Sequence, residues 1–320
     1  MSYQIRHDET LADGFRRICR KQVMNAVAIA RGDVETDGTV VHQTRKHLKK
    51  ARAALQLLAS EIGHSAYKRT DRYLRDVGRM ISEIRDAEVR LQTVQQVQHV
   101  TRRQTRRTYR KIEEVLVLEL VSFMAAFAEW QKKAVPKLEC FLKEIDGWPL
   151  DHFGYKRLCR SVQKSYKTGR DCLARAQASP SAETFHEFRS EAKRLGYQLR
   201  ILRPINPVVL KNLTDEVGAL GDLLGRAHDF SFLGERLRQE RGSQPWQREA
   251  NELLAVIEAS EAELERGAAE LAERFFAERP REFGDRLANW FHIWTNGKLP
   301  SVAGALVAGE KPRDALRAVN

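Results

Sequence analysis

The chain is short of the residues that punctuate or staple a fold. It has 9 prolines and 19 glycines in 320 residues. That is too few turns for a many-stranded β fold, and it excludes collagen-like and low-complexity chains. No apolar run approaches the roughly 18 residues needed to cross a bilayer, so no membrane partner is expected. The first residues lack the apolar stretch of a secretory signal. The four cysteines, Cys19, Cys140, Cys159 and Cys172, show no C-x-x-C spacing. They read as reduced thiols rather than metal ligands or disulfides, which makes the expected location cytoplasmic. Signatures of familiar catalysis are missing too: GxxxxGK[ST], GxGxxG, HExxH and GxSxG are absent. No acidic cluster interrupts the basic segments to hold Mg²⁺. The expectation is no enzyme, no cofactor and no metal.

What is present points to helices. Residues 5–135 contain no proline, and Ala, Leu, Arg, Glu, Lys and Gln dominate, all good helix formers. Apolar positions recur at spacings of three and four, not two. The pattern predicts an all-α fold with helices over 9–31, 40–60, 65–98, 100–134, 151–177, 181–202, 210–239, 245–278 and 282–295. The Gly and Pro of IDGWPLDH, residues 145–152, mark the clearest boundary. It divides the chain into an N-terminal helical half, 8–147, and a C-terminal half, 148–297, with a loose tail over 298–320.

Lys and Arg number 55 against 43 Asp and Glu, a formal charge of +12. The excess is uneven. Residues 41–75, 102–111 and 153–175 are strongly basic, whereas 249–273 is rich in Glu. A surface built only for solubility would intersperse the signs. Basic segments gathered by the fold would make a positive surface that attracts polyanions.

The chain also repeats itself. VHQTRKHLKKARAALQLL, residues 41–58, aligns without a gap to FHEFRSEAKRLGYQLRIL, residues 185–202. His42 meets His186, Arg45 meets Arg189, Lys49 meets Lys193 and Lys50 meets Arg194. At about 100° per residue, His42, Arg45, Lys49 and Arg52 share one helix stripe. Val41, Leu48, Ala51, Leu55 and Leu58 take the opposite side. In the second copy His186, Arg189, Lys193 and Arg200 form the stripe, backed by Phe185, Phe188, Leu195, Leu199 and Leu202. A second echo follows each copy: VGRMISEIRD, 77–86, resembles LGDLLGRAHD, 220–229.

A charged helix stripe is most often a solvated face, supported by Glu–Lys pairs. These stripes are almost purely basic and recur in register, which favours anion binding. His42 and His186 have no second His, Cys or carboxylate at i+3 or i+4, where a metal would want ligands; Arg45, Lys46 and Arg189 stand there instead. Packing or capping remains an alternative for them; donating to an anion suits either ring nitrogen. The candidate set adds Lys46 beside the first stripe, and Arg72, Arg75 and Arg79 in the next helix. Arg16 and Arg20 (with Arg17 and Lys21) load the first helix, and Lys164, Lys167 and Arg170 (with Arg160) its counterpart in the second half. The run RRQTRRTYRK, 102–111, fits either an extension of that surface or an outer solvated face.

Together these motifs are similar to the CHAD domain, the conserved histidine α-helical domain, over residues 8–295. The shared pattern is His, Arg at +3, a basic pair at +7 and +8, and an R-D or H-D element about 43 residues on, twice over. The resemblance implies two four-helix bundles related by an internal two-fold, with basic faces lining a central groove that binds inorganic polyphosphate. It implies placement at polyphosphate granules for some members. It carries His42, Arg45, Lys49, Lys50 and Arg52 into the groove from the first half. From the second half it carries His186, Arg189, Lys193, Arg194 and Tyr197. Gly196 stands where the family often has Arg, with Arg200 as the compensating candidate. The E-x-E-x-K pattern of a CYTH triphosphatase is absent, so the expected protein is a free-standing, non-catalytic module. Other phosphate-rich polyanions are secondary partners. A nucleic-acid-binding basic protein is an alternative, although the stripes hold almost no aromatic besides Tyr197 for stacking on bases. A phosphohydrolase accessory module is the other.

Overall fold

The computed structural model describes residues 3–33, 39–105, 109–239 and 246–297. Among them are twelve α-helices and no strand. The helices are α1 (Leu11–Arg31), α2 (Val40–Leu57), α3 (Ala59–Ile62), α4 (His64–Met80), α5 (Ser82–Thr105), α6 (Arg110–Met124) and α7 (Phe127–Ile145). The second half holds α8 (Tyr155–Ala178), α9 (Ala182–Leu202), α10 (Pro207–Gln239), α11 (Gln247–Phe275) and α12 (Pro280–Thr295), with a 3₁₀ turn at Arg203–Ile205. The tail from 298 and residues 106–108 of the basic run lie outside the described residues.

Local chemistry sets the ends. Thr10 and Thr39 accept from the backbone N–H of Asp13 and His42 and cap α1 and α2. Ser181 and Thr184 form a capping box on α9. Gly32, at φ 79°, takes the left-handed turn that closes α1.

The break expected between 98 and 100 is absent, because α5 runs on to Thr105, and three further boundaries differ from the sequence expectation. The helix predicted over 65–98 is broken at Ile81 (φ −111°, ψ 16°). There Ser82 Oγ donates to Arg79 O, Arg45 to Gly78 O and Trp130 Nε1 to Val77 O. Three side chains thus satisfy the carbonyls that a continuing helix would have used. A second break falls at Ala125–Ala126, which no glycine or proline marks. The third difference runs the other way: α7 continues through Pro136 to Ile145. Proline forfeits one backbone bond there, but the next turns bury Leu138, Phe141 and Ile145.

The repeated helices bury the predicted faces. Val41, Leu48, Ala51, Leu55 and Leu58 are buried, as are Phe188, Leu195, Leu199 and Leu202; Phe185 is half-buried. One core cluster runs from Phe15 and Leu55 through Phe141 and Trp148 to Leu158, Leu199 and Phe283, across both halves of the chain. A second cluster joins α5 and α6 (Val94, Tyr109, Ile112) to α10 and α11 (Leu233, Trp246, Ile257). The halves are therefore packed into each other at two places. At the contact of the repeats, buried Gln198 of α9 donates to Ala53 O and Gln56 Oε1 of α2. A strap before α1 adds a backbone bond from Ile5 N–H to Ile201 O.

Candidate polyanion-binding cleft

The basic stripes of α2 and α9 face one cleft. It consists of two adjoining recesses that share Lys49 and Arg52. One, about 110 Å³, is lined by those two with Arg189, Lys193, Arg194 and Tyr197. The other, about 360 Å³, adds Arg45, Arg75, Arg79, Ser82 and His186.

Several of these cations are already engaged. Arg52 forms a two-pronged pair with Asp71, Nε–Oδ1 2.7 Å and Nη2–Oδ2 3.1 Å. Arg45 Nη1 donates to Gly78 O at 2.7 Å. Arg194 pairs with Glu191 at 2.6 Å. Lys49, Arg189 and Lys193, by contrast, make no hydrogen bond or ion pair among the described residues, and Arg189 Nε is buried without an acceptor. The side chains of Arg189 and Lys193 lie over α10, where Gly221 and Gly225 leave room. A Cβ at 221 would stand 3.2 Å from Lys193 Cγ, and one at 225 would stand 3.6 Å from Arg189 Nε.

The second echo supplies the floor. Asp86 of α5 interacts with Arg45, and Asp229 of α10 with Arg189, so each repeated arginine faces its repeated aspartate. Burial pushes both carboxyls up, and the arginines oppose it. Arg85, next to Asp86, faces Arg45, Lys49, Arg189 and Lys193 at once. It was not among the sequence candidates, although the R-D element that contains it was. The cation excess outweighs the acids: burial and like charge pull Lys49 down to about 7 and Lys193 to about 8.

His186 lines the larger recess, whereas His42, the repeat's first candidate, is exposed and lines neither. Burial and neighbouring cations push both His42 and His186 below the ordinary histidine range. His186 packs against His228 with ring centroids 4.9 Å apart. His228 was no sequence candidate either; it is pushed down to about 4 by burial and by Arg189.

Other candidates lie at the margin or elsewhere. Lys50 stacks its ammonium 5.4 Å over the Tyr3 ring, and Tyr197 meets the same ring edge-on. Arg200 is within electrostatic reach of Tyr3 and Lys50. Lys46, Arg72 and Lys164 are exposed and line neither recess. Arg16 and Arg20 line a different recess of about 670 Å³. There Arg16 donates to Trp148 O and Arg20 pairs with Asp146, because α1 turns its apolar face to α2 and α7. Lys167 pairs with Asp171, and Arg170 donates to Glu278 O before α12. No group of three or more His, Cys, Asp or Glu is arranged to hold a metal among the described residues. No described helix is long and apolar enough to cross a membrane.

Comparison with known proteins returns the CHAD domain family over residues 17–238. Among solved structures, the chain is similar to the crystal structure of the CHAD domain from the plant Ricinus communis. The TM-score is 0.61 at 18% identity, covering 87% of this chain and 95% of that one. Comparison with curated proteins returns no match.

Proposed function

Because the chain belongs to the CHAD domain family, we propose that its central cleft binds inorganic polyphosphate without turning it over. The observation that carries this reading is the trio of Lys49, Arg189 and Lys193, drawn from both repeats and gathered in one cleft with no hydrogen-bonded carboxylate among the described residues. Asp222 and Asp229 of α10 act on them only electrostatically. Unpaired cations held close together repel one another, and a linear string of phosphates relieves that repulsion. The planar Arg189 fork suits two phosphate oxygens, and the lysines act as point charges. Arg45 and Arg85 extend the positive wall. A base-free polyanion fits better than nucleic acid, since Tyr197 and Tyr3 pack edge-on against each other rather than as open stacking platforms. The same binding would hold the protein at polyphosphate granules.

Titration with long-chain polyphosphate tests this. Binding at physiological salt that weakens steeply as salt rises is the expected result, because association releases counterions. Absence of binding, or displacement of polyphosphate by an equal phosphate concentration of single-stranded nucleic acid, would overturn it. Phosphate release in the presence of Mg²⁺ or Mn²⁺ would overturn the non-catalytic part.

A further inference from the structure

A lysine on a protein surface is protonated at neutral pH and is therefore a poor nucleophile. Lys49 stands in a different setting. It lines both recesses of the cleft, is enclosed enough among cations to lose part of its hydration yet keeps surface that solvent reaches, and has no hydrogen-bond or ion-pair partner among the described residues. Cations face it from three helices: Arg45 on its own, Arg189 and Lys193 on α9, and Arg85 on α5. Arg75 and Arg79 of α4 line the larger recess with it. His42, His186 and His228 also face it, all pushed toward the neutral form. Asp229 of α10 is the counter-charge in reach, and Arg189, Lys193 and Arg85 compete for it. Asp222 of α10 acts on Arg189 and Lys193, and Arg85 is paired with Glu88 at 3.1 Å. Arg52 alongside is neutralised by Asp71.

We infer that Lys49 is an acylation site, the amine in the cleft that reacts with small acyl phosphates. The inference rests on reading the cleft as a phosphate site, because the reagent is brought in by its phosphate group. Neutral Nζ adds to the acyl carbon and a C–N bond forms. The C–O bond to phosphorus-bound oxygen breaks, and inorganic phosphate leaves with the bonding pair. The proton released from nitrogen passes to water or to the departing phosphate. Arg189 and Lys193 are placed to neutralise that leaving group. The product amide has no charge at the junction of the two recesses, so acylation weakens polyanion binding.

Position makes the site selective. An amine drawn to about 7 is about half neutral at pH 7, against on the order of one part in 10³ for an ordinary lysine. A weaker base is also a weaker nucleophile, which returns part of the gain, by analogy with thiolates. A rate advantage on the order of tens of fold remains. Lys193 and Lys50, both drawn to about 8, rank behind it.

The full chain is incubated with acetyl phosphate at several pH values and acetyl-lysines are quantified by mass spectrometry. The expected result is Lys49 reacting tens of fold faster than exposed Lys164, with a rate that rises through pH 7. Polyphosphate should shield Lys49, Lys49→Arg should remove the signal, and Arg85→Gln should move the pH midpoint upward. Lys49 reacting no faster than Lys164, in protein that still binds polyphosphate, would overturn the inference and leave the binding reading intact. A reactive Lys49 that polyphosphate does not shield would overturn the recruitment step and the polyphosphate reading together.

Discussion

Arg45 Nη1 donates to the carbonyl of Gly78 at 2.7 Å, so a cation of the cleft closes the C-terminal end of α4. Positive charge at that end of a helix is favourable. Its repeat counterpart, Arg189, closes no helix end, since α10 runs unbroken past Gly221 and Gly225, and Arg189 Nε has no acceptor. Two residues at matching positions therefore play different parts. Arg45→Ala should cost about 1–2 kcal/mol of stability, the worth of a charged hydrogen bond offset by relief from like charges, along with some affinity. Arg189→Ala should leave the denaturation midpoint unchanged and lose more polyphosphate affinity. Chemical denaturation paired with polyphosphate titration checks both, and equal stability losses in the two variants would contradict the division of roles.

The difference shows what a sequence exposes. The greasy side of α2 is legible because Leu48, Leu55 and Leu58 obey the helical period. The shared cleft is legible because the stripe recurs in register. The break at Ile81 is not legible, since it depends on Arg45 and Trp130 reaching α4 from other helices. Pro136 reads as a stop, yet the core beyond it carries the helix on. Arg16 and Arg20 form as good a stripe as any, but a stripe does not say which neighbour it meets. Arg85 is hidden in the sequence because the R-D element reads as a repeat marker, and its role emerges only when α5 faces α9.

Affinity should fall as pH rises through neutrality. Lys49, drawn to about 7, and Lys193, drawn to about 8, are charged below those values in the free protein. A bound polyanion favours their charged forms, so binding takes up protons above pH 7 and weakens toward pH 9. Histidines with ordinary titration would add to binding as they protonate below about pH 7. With His42 and His186 pushed down, their contribution moves below the ordinary histidine value near 6.5. Calorimetric titration in buffers of different ionisation enthalpy measures the proton count. No uptake between pH 7 and 8.5 would contradict the cation cluster as drawn.

Leu55 tests the assignment of faces. It is completely buried, three residues from Arg52. Leu55→Ala should destabilise by about 2–5 kcal/mol through lost burial and a cavity, with the cleft chemistry kept. Leu55→Asp adds a buried charge with no partner and should prevent cooperative folding. Circular dichroism melts read both, and native-like melting of Leu55→Asp would mean that the apolar face is wrongly placed.

Gly221 separates binding from stability most cleanly. It is buried in α10, where alanine is the better helix former by about 1 kcal/mol. A methyl group there would press on Lys193 Cγ and Cε, at 3.2 and 3.3 Å. The lysine stem must shift by a few tenths of an ångström and displace its ammonium with it. Gly221→Ala should therefore hold or raise the melting temperature while lowering polyphosphate affinity by several-fold. Gly218→Ala, on the same helix with no atom within 4 Å of the new methyl, should gain the helix stability and keep the affinity. If both variants bind alike, the position of Lys193 over the glycine surface does not matter to the ligand.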